Sequence, residues 1–194
     1  VRDSAAFLDI ADAPTVGEPY APPPKAGPFL EEVGQAPGKL RIAFSTDSLY
    51  GDINHPDCVA AVEDAIKLLQ DLGHEVVEQQ LPFNKEELVR AYFIIVSAGV
   101  ARAVEKAAAH AGVKPRSRDF EPASWVLAQI GWVNRASEYE WAREVMQRDG
   151  RKVAQFFESN DIFLSSTLGR PPARIGELPP TSSERAQLAI LRRL

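Results

Sequence analysis

Apolar residues recur along this chain at two spacings, and the spacing changes from segment to segment. Ala5, Leu8 and Ala11 share one face at helical intervals, so residues 1–11 read as the tail of a helix. Leu40-Arg41-Ile42-Ala43-Phe44 alternates bulky and smaller side chains, as a strand does. Val59, Val62, Ile66, Leu69 and Leu72 then mark one face of a helix over 56–72. Pro56 suits its first position, Asp57 places an acid in its first turn, and Gly73 is a natural stop. Glu75 to Leu81 reads as a second strand. Strand, helix and strand together predict a βαβ unit over 39–82, with parallel strands and a right-handed crossover.

From Asn84 onward the pattern is helical. Asn84 with Glu87 three residues later is near a capping box. The run Phe93–Ala101 is apolar or small throughout, which predicts a helix buried on most sides. Gly112 is expected to end it. Pro122 and Ala123 open another helix, to about Ile130. A longer helix is expected from Ser137 to about Ser159, with Tyr139, Ala142, Met146, Val153 and Phe156 on its inner face. This helical region, 84–159, is followed by a tail over 160–194. Asp161 to Leu164 predicts a short buried strand, residues 170–180 a loop, and Ser183 the cap of a last helix. One stretch fits neither spacing. Residues 12–38 carry Pro14, Pro19, Pro22, Pro23, Pro24, Pro28 and Pro37, a density that excludes regular helix and disfavours central strand. It reads as a long connector.

Composition narrows the function classes. The chain has 194 residues and a formal net charge of −5, with acids and bases interspersed. That argues against nucleic acid and against a polybasic membrane patch. No apolar run is long enough for a membrane helix. Cys58 is the one cysteine, which rules out an internal disulfide, argues against a cysteine-based zinc site, and fits a cytoplasmic setting. No metal or cofactor is expected. The opening Val1-Arg2-Asp3 carries neither an initiator Met nor a signal pattern, so the chain reads as a piece of a longer polypeptide.

A nucleophile needs a base within hydrogen-bond reach and a group to stabilise developing charge. The sequence offers no G-x-S-x-G elbow, no H-E-x-x-H, no Walker loop and no G-x-G-x-x-G. His55, His74 and His110 stand apart and read as solvated or structural. Cys58 sits in the first turn of its helix and reads as a packing residue. The loop Ser45-Thr46-Asp47-Ser48-Leu49-Tyr50-Gly51-Asp52 follows a strand, where parallel sheets bind ligands, and its plainer reading is a polar surface loop. Ser165-Ser166-Thr167 also follows a strand. Its plainer reading is local turn hydrogen bonding.

The order of segments resembles the amidase-signature family nearly from end to end. Val1-Arg2-Asp3-Ser4-Ala5-Ala6-Phe7-Leu8-Asp9 resembles the stretch after that family's catalytic core. Gly17-Glu18-Pro19-Tyr20 and Pro22-Pro23-Pro24 resemble its proline-rich connector. Leu40–Phe44, His55-Pro56-Asp57-Cys58-Val59-Ala60-Ala61-Val62 and Leu72-Gly73-His74-Glu75-Val76 resemble its next strand, helix and strand. Phe163-Leu164 into Thr167-Leu168, Pro171-Pro172 and Ile175-Gly176-Glu177-Leu178 resemble a later segment, with Ser166 standing where the family often has Pro.

The resemblance implies an α/β fold: a partial amidase-signature fold, with a mixed sheet and a βαβ unit covered by several helices, the whole chain being one segment of an amidase domain. It implies hydrolysis of C–N amide bonds of small or linear amides by a Ser, a bridging cis-Ser and a Lys. Those residues lie upstream of everything matched here, so no catalytic residue is assigned and the chain alone is expected to be inactive. A substrate-side role is implied instead, carried by Ser97, Trp125, Ser166 and Thr167. The expected partners are a small amide substrate and the remaining amidase segments, with homo-oligomers as a further expectation. Two rival readings remain. One is a non-catalytic α/β binding or interaction module of the same fold; the other is a different hydrolase using Ser165 or Ser166.

Overall fold

The computed structural model describes residues 1–13, 15–18, 20, 23–48 and 53–191. Pro14, Pro19 and Pro22 of the connector, and Leu49 to Asp52 of the loop after the first strand, lie outside the described residues. The chain forms two compact units, Val1–Lys39 and Leu40–Leu194.

The first unit holds helix α1 (Arg2–Ala11), which buries Ala5, and a single helical turn, α2 (Phe29–Glu32). The turn corrects the expectation that proline density excludes helix throughout 12–38. Between Pro28 and Pro37 the chain is free of proline, and its missing cap comes from far away in sequence. The Asp9 carboxylate accepts from Phe29 N at 2.8 Å and from Leu30 N at 3.0 Å. Lys25 Nζ donates to Asp9 at 2.9 Å and lies 3.1 Å from Asp12. The Lys25 bond, together with the two backbone donors, holds the Asp9 carboxyl below the usual carboxylate value.

The second unit is built on three parallel strands in the order β2-β1-β3. They are β1 (Arg41–Phe44), β2 (Glu75–Glu78) and β3 (Ile162–Leu164). Ile42 stands opposite Val76 on one side and Ile162 on the other. A mixed sheet was expected; among the described residues every strand pair is parallel. The central strand supplies the sheet's buried residues, Ile42 and Ala43. β3 is less buried than its sequence suggests, with Ile162 at 42% exposure. At its start, Asp161 accepts from Arg41 N at 2.8 Å, from Nε at 3.2 Å and from the guanidinium tip at 2.9 Å. That fork lowers the Asp161 carboxyl to about 2.

Helix α3 (Pro56–Asp71) connects β1 to β2. Val62 is buried and Val59, Ile66 and Leu69 are half-buried, as the spacing predicts, while Leu72 is exposed beyond the helix end. Gly73 takes φ 91°, the left-handed stop that favours glycine. His55 caps the helix by accepting from Asp57 N at 3.2 Å, and His74 Nδ1 accepts from Leu40 N at 3.2 Å. Two of the three histidines are therefore structural acceptors.

The helical layer centres on α4 (Lys85–His110), whose N-cap Asn84 accepts from Glu87 N at 3.0 Å. Helix α5 (Pro122–Val133) packs on its C-terminal half through Ala101, Val104 and Ala128. Helix α6 (Ala136–Ser159) packs on its N-terminal half through Ala91, Ala142 and Val145. As residue numbers rise along α4, the partners' numbers fall, so α5 and α6 both run antiparallel to it. Small residues at both contacts let the helices approach closely. At Gly131 the approach leaves no room: a Cβ there would lie 2.1 Å from Ser97 O and 2.8 Å from Ala101 Cβ.

Three expectations need correcting. The inner face of α6 is Ala142, Val145, Asp149 and Phe156, while Tyr139 and Met146 are exposed at 37% and 39%. The face turns because Asp149, though charged, is neutralised in place by Arg148 and Lys152, at 3.1 and 3.0 Å. Burial pushes the Asp149 carboxyl up, and those two cations more than offset it. Next, α4 is not buried on most sides: Tyr92 and Phe93 remain 47% and 59% exposed, because α5 and α6 line the same side of it. Finally, helix α7 (Ser182–Leu191) is capped by Thr181 rather than Ser183. Thr181 Oγ1 accepts from Glu184 N, and Glu184 returns a bond to Thr181 N at 2.7 Å, a reciprocal box that fixes the start.

Gly131→Ala is expected to destabilise the second unit by about 2–3 kcal/mol, since a backbone carbonyl cannot step aside. Gly150→Ala, mid-helix with open space around its Cα, is expected to stabilise by about 0.5–1 kcal/mol. Urea melts that shift in the same direction for both would contradict this packing. The Arg41–Asp161 fork makes a pH prediction. Asp161 is depressed from 3.8 to about 2, so its contribution is full above pH 4 and lost as pH falls toward 2. The stability difference between wild type and Asp161→Asn should therefore be largest above pH 4 and vanish near pH 2. A difference constant across that range would show that the charge contributes nothing.

Candidate functional site

The helix break between α5 and α6 creates the first candidate region. Asn134 sits in the break, and its Nδ2 donates to Ser97 Oγ at 2.9 Å and to Ile94 O at 3.3 Å. Ser97 Oγ in turn donates to Ile94 O at 3.1 Å. Ser97 is fully buried, with its hydroxyl engaged on both sides, beneath Gly131. These bonds account for Ser97 as the small polar residue that lets two helices meet and ties off their junction.

Trp125 lies one helix over, packed against the Ala101, Val104 and Ala128 cluster. Its ring stacks on Phe120 at 6.0 Å and meets Trp132 edge-on at 5.3 Å. Trp132 donates its indole N–H to Glu105 at 2.9 Å, whereas the Trp125 indole N–H is buried without a partner among the described residues. Ser97 and Trp125 thus both belong to the α4–α5 helix pair, Ser97 at its contact and Trp125 in its aromatic cluster. An aromatic wall of this kind suits ligands with apolar chains.

The second candidate region is the carboxyl end of the parallel sheet. Ser45 N donates to Leu164 O at 3.1 Å, and His55 N donates to Gly169 O at 2.8 Å, so the segment after β3 lies against the segment after β1. Ser45 is buried, and its Oγ accepts from Asp47 N at 3.1 Å and from Gln80 Nε2 at 3.0 Å. Gln80 also donates to Asp47 at 2.7 Å, Asn54 to Thr46 O at 2.7 Å, and Lys85 to Ser48 O at 2.9 Å. A cavity of about 400 Å³ is lined here by Thr46, Asp47, Ser48, Asn54, Val59 and Lys85. Sequence reasoning named the loop but missed Asn54, Gln80 and Lys85. Gln80, two residues past β2, could have been found from the rule that ligands gather beyond parallel strand ends.

Ser166 and Thr167 belong to this second region and not to the α4–α5 wall. Ser166 is half-buried and donates to Leu168 O within its own turn; Thr167 is exposed. The four residues named from sequence are therefore split two and two. The hydrogen bonds described for Ser45 and Ser166 run to amides and a carbonyl, and none comes from a His or Lys side chain that would activate either hydroxyl.

Comparison with known proteins fixes the lineage of this arrangement. Over 181 residues the chain is 26% identical to the 6-aminohexanoate-cyclic-dimer hydrolase of Pseudomonas sp. (strain NK87), covering 92% of this chain and 37% of that protein. It is 26% identical over 178 residues to an amidase of Pseudomonas putida, covering 91% of this chain and 36% of that one. A solved structure of 6-aminohexanoate cyclic dimer hydrolase with substrate superposes with a TM-score of 0.71 at 24% identity, over 82% of this chain and 33% of the other. The chain spans about a third of the length of the relatives it matches. Residues 1–192 match the family described as Amidase, and the chain belongs to that amidase-signature family.

Proposed function

We propose that this chain is the substrate-side part of an enzyme that hydrolyses C–N amide bonds of small or linear amides, with the Ser-cisSer-Lys catalytic residues outside these 194 residues. The observation that carries the reading is the family match across residues 1–192, combined with relatives nearly three times longer. Two of those relatives are hydrolases of a cyclic amide dimer, which favours an amide with a methylene chain as substrate. In this reading 12–38 is the connector, 39–82 the βαβ unit, 84–159 the substrate-side helices, and 160–194 the closing strand, loop and helix.

The α4–α5 wall supports the role. Trp125 presents a large half-buried ring, flanked by Phe120 and Trp132, to any chain laid along α5. Ser97 acts on the same wall by setting the depth of the helix contact. Ser166 and Thr167 are assigned a lesser share, at the sheet's carboxyl end. The partners are the amide substrate and the remaining segments of the amidase domain, in a cytoplasmic enzyme that uses no metal or cofactor and is able to self-associate through its exposed apolar residues.

The test compares two proteins: the 194-residue chain and the complete product of the gene that carries it. Ammonia release from hexanamide is expected from the complete product and not from the chain alone. Trp125→Ala in the complete product is expected to raise KM about tenfold with little change in kcat, as loss of ground-state apolar contact does. Turnover by the 194-residue chain itself would overturn the placement of the catalytic residues. A complete product without amidase activity, together with a monodisperse and cooperatively melting chain, would favour the binding-module reading.

A further inference from the structure

A cavity of about 440 Å³ opens where α4 ends, between its last turns and the single turn Ser117–Asp119 that precedes α5. Part of its lining is apolar. Ala107 and Ala108 come from α4, Val113 from the segment beyond, and Phe120 from the far side, where its ring stacks on Trp125. The rest is charged. Lys114, Arg116 and Arg118 all line the cavity, with Asp119 the one acid among them.

Local sequence puts the three cations together. Pro115 disfavours helix at Lys114, and Arg116 is extended, at φ −132° and ψ 144°. Residues two apart on an extended chain share a side, so Lys114 and Arg116 face the cavity in company. Asp119 N then donates to Arg116 O at 3.0 Å, closing a turn that brings Arg118 to the same rim.

Holding the helix end is not their task. Cations often complement the open carbonyls of a helix C-terminus. In α4 the carbonyls of Ala107, Ala108 and Ala109 already accept from the N–H groups of Ala111, Val113 and Gly112, at 3.1, 3.0 and 3.1 Å. The side chains of Lys114 and Arg116 make no hydrogen bond or ion pair among the described residues. Arg118 stands 3.7 Å from Asp119. Three cations against one acid is a local reversal in a chain of net charge −5.

We propose that this cavity binds a small amphipathic anion, a phosphate monoester of a short alkyl or aryl group. Two unpaired cations and a loosely paired third exceed what one carboxylate neutralises. A phosphate monoester brings about two charges and three terminal oxygens. Arg116 and Arg118 each offer a fork of N–H donors to those oxygens, and Lys114 adds a point charge. The hydrocarbon part covers Val113, the alanine side chains and the Phe120 ring. A concave site of this size, apolar with a few charged groups, is the form of a small-molecule cleft and not of a flat membrane contact.

The test is a calorimetric titration of the complete gene product, and amide hydrolysis does not enter it. Hexyl phosphate is expected to bind saturably. Hexan-1-ol lacks the charge and inorganic phosphate lacks the chain, so each should bind at least about tenfold more weakly, and hexanoate about threefold more weakly. Lys114→Gln and Arg116→Gln should each weaken hexyl phosphate about threefold to fivefold, and together about tenfold or more. Both side chains are exposed, so these variants should melt as wild type does. Ala107→Leu, at an exposed position of α4, should fill the apolar part and weaken hexyl phosphate about tenfold with the melting temperature unchanged. No binding of hexyl phosphate, binding indifferent to the paired Gln variants, or hexan-1-ol or inorganic phosphate binding as tightly would overturn the proposal. Capture by phosphatidylcholine vesicles containing phosphatidic acid, without binding of hexyl phosphate, would overturn it in favour of a membrane contact. Hexanoate binding as tightly as hexyl phosphate would overturn the assignment to a phosphate.

Discussion

The helical layer depends on a backbone carbonyl, Ser97 O, lying where a side chain on Gly131 would begin. Contact that close is possible only for glycine, and it sets the depth at which α5 meets α4. From that depth follow the burial of Ala101 and Ala128, the position of Asn134 at the helix break, and the reach of its amide to Ser97 and Ile94. Asn134 then ends one helix and allows the next to start on the same side of α4. With α5 and α6 placed end to end, the rest of α6 is carried past Ala91 to Glu87, where Arg148 closes the contact at 2.8 Å.

Polar groups in this fold serve mainly to fix positions. Asp161 joins two strands at their start, Asp9 caps a turn from a distance, and Asp149 is buried with its cations around it. Each carboxylate is held below its usual value by the partner it positions. The same is true of the hydroxyls and histidines that first draw attention as chemistry. Ser97, Ser45, His55 and His74 all spend their described bonds on backbone or on amide side chains. Trp125 Nε1 and Gln129 Oε1 are the exceptions, being buried without a partner among the described residues.

Helix α4 is covered on one side only. Its stretch Phe93–Ala101 is apolar or small throughout, yet α5 and α6 cover one side of the helix and leave Tyr92 and Phe93 open. This chain is about a third of its relatives' length.

What the sequence determined by itself was local. The spacing of Val59, Val62 and Ile66, the stop at Gly73 and the cap at Asn84 each follow from neighbours a few residues away, and each stands where it was read. The order of motifs was also enough to name the family. Tertiary structure decided what depends on partners distant in the chain. It turned the inner face of α6 toward Asp149, because only assembly brings Glu87 beside Arg148, 61 residues apart. It made a helical turn at Phe29 by supplying Asp9, 20 residues away. It divided Ser97 and Trp125 from Ser166 and Thr167, and it left Trp125 Nε1 and Gln129 Oε1 without a partner among the described residues. Periodicity states which face a residue occupies. Whether its polar atoms are satisfied there is fixed only by what the fold brings against that face.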